Sequence, residues 1–147
     1  MARRIGNFRE NPSLESTADR MEPESQALEH ESEFVRSFVV PERRERYLSK
    51  LASAKHRRAI LDRLNHQFLG DLDSRFVVRG KQPWPTNQDK CYIFADESEY
   101  DQRLVTIAEA EEALSAASFG MVVSFVPGKL ACYKDEAPSE VVWVKRD

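Results

Sequence analysis

His56, Asp62 and His66 are the first side chains in this sequence whose types and spacing invite chemistry. Imidazole is a common metal ligand and general base near neutral pH, and a carboxylate one helical turn before it can orient the ring. On a helix, however, positions ten apart stand about 80° apart around the axis and about 15 Å along it, too far to share one ion. Asp62 and His66, at i and i+4, fit an ordinary helix-surface pair, and no nucleophile stands near them.

The acidic segment DESEYDQ, with Asp96, Glu97, Glu99 and Asp101, is the second such constellation. Alternating carboxylates can ligate calcium or magnesium, and with a lysine or further acid brought up by the fold they could serve a metal-dependent hydrolase or nuclease. The bend glycine and closing glutamate of a calcium loop are missing, so a solvated loop is expected. Cys91 and Cys132 have no CxxC neighbour and sit in apolar surroundings, which reads as buried free thiols. There is no phosphate-cradling glycine loop, no GxSxG elbow and no HExxH helix. The sequence therefore assigns no catalytic residue, metal ligand or cofactor, and the chain reads as non-enzymatic.

Charge carries a clearer signal. The chain has 147 residues and a formal net charge of −3, room for one compact domain with attachments. That total conceals a polarised molecule: residues 1–40 carry −3, residues 41–66 carry +5 and residues 67–147 carry −5. Polarity of this kind guides association. The sequence contains no apolar run long enough to span a membrane, no secretory leader and no glycine after Met1 for myristoylation. A cytoplasmic home and no membrane partner are expected.

The basic block runs PERRERYLSKLASAKHRRAILDRLNH from Pro41 to His66. Pro41 suits the first position of a helix and Glu42 its positive end. At 100° per residue, Tyr47, Leu48, Leu51 and Ala52 share one face, whereas Ile60, Leu61, Leu64 and Phe68 fall on the opposite one. One straight helix could not bury both, so the phase predicts helices over 41–52 and 54–69, with Ser53 as the second N-cap and Gly70 as the stop. Arg57 falls among the apolar residues of the second helix and is expected to reach out along its stem. Two basic faces result, one carrying Arg43, Arg46 and Lys50, the other Lys55, Arg58 and Arg63.

The elements around this block follow from pattern. Residues 1–33 are too sparse in apolar side chains to pack and read as a disordered acidic tail. Residues 34–70 form the helical basic segment, approached from Ala27 to Phe38 by a short helix or an extended arm, with Phe34, Val35, Phe38 and Val39 as a docking patch. Residues 71–147 read as a small α+β domain packed with that segment as one unit. Arg75–Val78, Cys91–Ala95, Met121–Val126, Lys129–Tyr133 and Val141–Val144 have strand composition. Trp84, between two prolines, is expected to plug the core. Thr106 to Glu109 form a capping box opening a helix to about Ser118. Pro127-Gly128 suits a type II turn, although two-residue hairpins prefer the mirror-image turns. Together these predict an α+β fold, a small mixed sheet of about four to five strands backed by one capped helix, in which 91–95 and 121–126 could be joined by a right-handed parallel crossover.

The functional expectation follows. The chain reads as a cytosolic interaction or regulatory protein, such as an adaptor, inhibitor or immunity-type subunit. It would bind a protein partner through Arg43, Arg46, Lys50, Lys55, Arg58 and Arg63, with a second copy of the chain as one form of partner. The alternative is nucleic-acid binding by the same faces, with Asn65 and Gln67 as weak base readers. The third reading is the metal-dependent hydrolase or nuclease built on 96–101. A merely solvated basic face is the plain competitor to all of them.

Overall fold

Strict alternation along the strands decides the architecture. In β2 (Lys90–Ala95) Cys91, Ile93 and Ala95 face one way while Tyr92 and Phe94 face the other, and all five are buried. A strand buried on both faces needs a layer on each side. The computed structural model, which describes residues 23–65, 67–80, 82–136 and 141–147, supplies both.

The sheet has six strands in the order β1-β6-β5-β4-β2-β3, all neighbours antiparallel. They are β1 (Val77–Val78), β2, β3 (Arg103–Thr106), β4 (Met121–Val126), β5 (Leu130–Lys134) and β6 (Val142–Lys145). One face is covered by α1 (Pro23–Phe38), α2 (Pro41–Leu51), α3 (Arg57–Leu61) and α4 (Phe68–Asp71). Phe34, Phe38, Tyr47, Leu61, Leu64 and Phe68 interlock there with Tyr92, Phe94 and Tyr133. The opposite face is covered by α5 (Ile107–Ala116), whose Ala110, Ala113 and Leu114 lie over Ile93 and Val123, and by Trp84. Trp84 stands edge-on to Phe125 and Trp143, plugging that face as expected. Among the described residues no helix is long and apolar enough to cross a membrane.

Several sequence expectations hold. Helix α2 opens with Pro41 and closes at Leu51, with the break falling where the apolar phase jumps. The Thr106–Glu109 capping box is complete, each partner's side chain satisfying the other's backbone N–H. Gly128 adopts φ 71° in the β4–β5 turn, closed by Lys129 N–H donating to the Val126 carbonyl at 2.9 Å. A register shift follows between Ser124 and Val126.

Other expectations are corrected. Residues 1–22 of the proposed tail lie outside the described residues, but 23–33 belong to α1. That helix buries Phe34, Val35 and Phe38 together with two polar side chains, His30 and Glu31, which a count of apolar residues overlooks. The helix foreseen over 54–69 is three pieces: α3, a 3₁₀ turn at Asp62–Asn65, and α4. The Leu64 carbonyl accepts from Tyr133 Oη, and the Asn65 carbonyl from the Glu136 N–H at 3.2 Å. These acceptors are diverted from the i+4 helical ladder, so the helix tightens and restarts. Gly70 consequently lies inside α4 and does not stop it.

The parallel crossover is also replaced. Strand β3, between the acidic loop and the capping box, has no strand signal in its composition; it pairs with β2 as a hairpin and reverses the chain before α5. Strand β4 therefore arrives antiparallel to β2, and the sheet is wholly antiparallel with six strands. Arg75 and Phe76 belong to a 3₁₀ turn that shortens β1 to Val77–Val78.

Candidate functional site: the arginine-rich helical layer

Helix packing brings the two basic faces together at a single carboxylate. Asp71, 2% exposed at the end of α4, accepts from Tyr47 Oη at 2.5 Å and from Arg63 Nε at 2.8 Å and Nη2 at 3.1 Å. Arg43 Nε reaches the same carboxylate at 3.0 Å. Burial alone would raise the Asp71 pKa, but the hydrogen bonds from Arg63 and Tyr47 and the nearby charge of Arg43 outweigh it and lower it. Arg43 and Arg63, assigned from sequence to different faces, are thus ligands of one internal anion.

Arg57 departs furthest from expectation. It is 9% exposed and turned inward, where all five guanidinium N–H groups find acceptors. Nε and Nη2 donate to Asp101 at 2.9 Å each, Nη1 and Nη2 to Glu31 at 2.8 and 2.6 Å, and Nη1 also to the Leu51 carbonyl at 3.0 Å. Tyr92 Oη donates to Glu31 at 2.5 Å, and the Ala95 N–H donates to Asp101 at 3.0 Å. Burial opposes the Arg57 charge, yet Asp101 and Glu31 together hold it firmly protonated. Burial and the neighbouring Glu31 carboxylate push the Tyr92 phenol upward. Beside this network His30 Nδ1 lies 2.8 Å from Ser124 Oγ, and its ring stacks on Tyr92 at 5.4 Å. Burial pushes the His30 imidazole down to about 4.

A serine beside a histidine suggests nucleophilic catalysis, but Ser124 is 1% exposed and His30 8%, so the Oγ has no room for a substrate carbonyl. The arrangement instead closes α1 onto β4. Burial likewise pushes the Cys91 thiol up to about 12 and raises Cys132 further, and both are free cysteines inside the core.

Three of the four carboxylates of the acidic loop, Asp96, Glu97 and Asp101, are turned toward the fold, while Glu99 is exposed. Asp96 accepts from Asn65 Nδ2 at 2.9 Å and faces Arg58 Nη1 at 3.4 Å, while its carbonyl also accepts from Arg58. Glu97 accepts from the Ser118 and Phe119 N–H groups at 2.7 and 3.2 Å, and Asp101 belongs to the Arg57 network. These carboxylates tie three elements to the sheet end, and among the described residues no three His, Cys, Asp or Glu side chains are placed to hold a metal ion. Asn65 is 6% exposed and spends its amide on Gly120, Asp62 and Asp96, leaving no edge for a base. His66, and with it the His56 and Asp62 pairings, lies outside the described residues.

The remaining assigned residues differ in kind. Arg46 and Lys55 are exposed and Lys50 half-exposed. No ion pair holds any of the three among the described residues. Arg58 retains 54% side-chain exposure despite Asp96. The residues that sequence reasoning missed, Glu31, His30 and Ser124, carry no motif, and Asp101, singled out there as a metal ligand, is instead a partner of Arg57. The available clue was Arg57 inside an apolar stripe, a cation that burial obliges to find anions.

The fold and site define an α+β domain with a six-stranded antiparallel sheet between a four-helix layer and a single capped helix, cross-linked by the buried Arg57 and by arginines around the buried Asp71. No protein-family model matches the chain, and comparison with curated proteins and with solved structures finds no match either.

Proposed function

We propose that the chain is a non-enzymatic cytosolic interaction or regulatory protein, an adaptor, inhibitor or immunity-type subunit, that binds a partner protein through the outer surface of α2 and the α2–α3 link. The observation that carries this reading is the division of the arginines and lysines. Arg43, Arg57, Arg58 and Arg63 are held by Asp71, Glu31, Asp101 and Asp96, whereas Arg46, Lys50 and Lys55 have no internal anion among the described residues. Charge left uncompensated on one surface steers an oppositely charged partner. In keeping with that reading, Ser124, His30, Tyr92 and both cysteines are buried and engaged in packing the core.

The test is affinity capture with the wild-type chain and with Arg46, Lys50 and Lys55 changed together to Glu, a triple variant that spares the Asp71 and Arg57 networks. A partner protein recovered by the wild type should be lost by the variant, and equal recovery would sink the assignment of this surface. A parallel mobility-shift assay with duplex and single-stranded DNA at low salt separates the nucleic-acid reading, which requires retention falling steeply with salt.

A further inference from the structure

The sheet ends at β1, and among the described residues no strand pairs with its outer side. Antiparallel pairing alternates, so every second residue of an end strand turns its N–H and C=O away from the neighbouring strand. Val77 donates its N–H to the Ser74 carbonyl inside the 3₁₀ turn, which marks Val77, and Arg79 two positions on, as the outward residues. Outside the sheet ladder Arg79 forms no backbone hydrogen bond among the described residues. Gly80 then turns the chain away at φ 84°, and a Cβ there would meet nothing within 4 Å. The edge therefore presents the Val77 carbonyl and the Arg79 N–H and carbonyl in a row.

A hollow of about 440 Å³ adjoins this edge, walled by Leu69, Leu72, Val77, Val78 and Val142. Leu69 lines it while remaining 55% exposed. Arg79 is the single charged residue among the described walls. It is exposed, and no ion pair holds it among the described residues. The carboxylates nearest along the chain are committed elsewhere, Asp71 to Arg43 and Arg63 and Asp73 to Arg75. Strand β3, at the opposite edge, is packed instead against both α1 and α5.

We infer that this edge receives an extended segment of a partner protein as a further strand beside β1, its apolar side chains in the hollow and a carboxylate against Arg79. Strand addition takes its affinity from main-chain hydrogen bonds and its specificity from pockets for alternate side chains. The outward groups of Val77 and Arg79 supply the first, and the hollow with its one unpaired cation supplies the second. A second copy of the chain fits less well, because pairing β1 with itself lines up Arg75 and Arg79 of both copies along one seam, and like charges facing across strands are destabilising. A nucleic acid would find one cation and apolar walls, where phosphate recognition needs several cations. The site lies on the sheet edge and not on α2, so it stands independently of the partner surface proposed above.

The probe is the fluorescein-labelled peptide Thr-Val-Thr-Glu-Thr-Val-Thr, read by anisotropy against the full chain. Its controls are a Lys-for-Glu peptide and two N-methylated forms, one methylated at the second, fourth and sixth amides and the other at the third and fifth. These two sets lie on opposite edges of an extended strand, so only one of them faces β1. Saturable binding is expected, with one methylated form weakened about tenfold or more and the other tolerated, as the loss of two or three hydrogen bonds of ordinary net strength requires. Arg79→Glu, an exposed substitution whose folding is checked by circular dichroism, should reverse the preference from the Glu to the Lys peptide. Hydrogen exchange at the Arg79 amide should slow when the Glu peptide is bound.

Absence of saturable binding, or equal weakening by the two methylation sets, overturns the added strand. Binding that keeps its preference for Glu in Arg79→Glu, or that survives Leu69→Asp undiminished, overturns the placement in this hollow. The Arg46, Lys50, Lys55 reversal should leave peptide binding unchanged, and loss of binding there would move it to α2. Self-association by analytical ultracentrifugation that Leu69→Asp abolishes would replace the partner segment with a second copy of this chain. Retention of DNA that Arg79→Glu abolishes would replace it with nucleic acid.

Discussion

Arg57 and Asp101, 44 positions apart, meet through two parallel hydrogen bonds of 2.9 Å each, with Glu31 closing the other side of the guanidinium. This geometry joins α1, the start of α3 and the loop after β2 into one rigid corner. A bidentate, fully donated guanidinium is the strong form of charge pairing. Its removal leaves two carboxylates facing each other without a cation.

Arg57→Leu is therefore expected to destabilise the fold by about 3–5 kcal/mol, the range for breaking a buried pair from one side. Arg57→Lys should recover part of this, because a lysine keeps the charge but cannot present the planar fork. Urea unfolding followed by tryptophan fluorescence measures both. A loss under about 1 kcal/mol for Arg57→Leu would show that the network contributes little.

His30 makes stability pH-dependent. Its pKa is lowered from 6.5 in the unfolded reference to about 4 in the fold, mainly by burial, so in the interval between these values the unfolded chain binds the extra proton. Stability should accordingly fall as pH drops from about 6.5 toward 4 and change no further through this group below that. The other lowered groups among the described residues, Asp71, Asp73 and Glu109, act mainly below 4.5, the highest of their reference values. Between pH 6.5 and 4.5 the slope of the urea midpoint should therefore flatten in His30→Gln, and an unchanged slope would assign it elsewhere.

Gly120 and Gly70 should respond oppositely to alanine. A Cβ on Gly120 would lie 2.2 Å from the Leu64 carbonyl oxygen, against backbone that Tyr133 and Asn65 hold in place, whereas one on Gly70 meets nothing within 4 Å. Gly120→Ala is expected to cost about 3 kcal/mol or more. Gly70→Ala, in α4, should be neutral or stabilise by up to about 1 kcal/mol. Thermal unfolding of the two variants should move the midpoint in opposite directions or move only the first.

Cys91 and Cys132 should resist thiol reagents in the native state. Both are fully buried, and the Cys91 thiol is held up near 12 by burial and by the Glu109 carboxylate. Labelling by an aromatic disulfide at pH 8 should proceed only as fast as the fold opens and become rapid in denaturant. Immediate labelling of one thiol per native chain would contradict the core placement.

The elements most legible in the sequence are those set by local interactions. The jump in apolar phase between Leu51 and Ile60 marked the break between α2 and α3, because a helix can present only one stripe to one core. Thr106 and Glu109 satisfy each other's backbone within a single turn, and Pro41 needs no partner beyond its own ring. Pro127-Gly128 likewise encodes its turn through the backbone freedom of one residue.

What the tertiary structure decided are the long-range pairings. Strand β3 is half-exposed at the sheet edge, with Val105 its single buried residue, so its composition gave no strong strand signal, and only pairing with β2 reveals that β4 must run antiparallel. The 54–69 helix is interrupted because Tyr133 and Glu136, some seventy residues away, take the carbonyls of Leu64 and Asn65. Most consequential for function is the sorting of the cations. Eight arginines and lysines between 41 and 66 look alike in sequence, and a charge count treats them as one surface. Which are neutralised depends on whether Asp71, Asp96, Asp101 or Glu31 arrives opposite them, and those encounters are set by how the helices pack on the sheet. Local periodicity could therefore locate the basic helices, while packing alone separated Arg43, Arg57, Arg58 and Arg63, paired with carboxylates, and Arg44, which donates to the Val39 carbonyl, from Arg46, Lys50 and Lys55, which have no ion pair among the described residues.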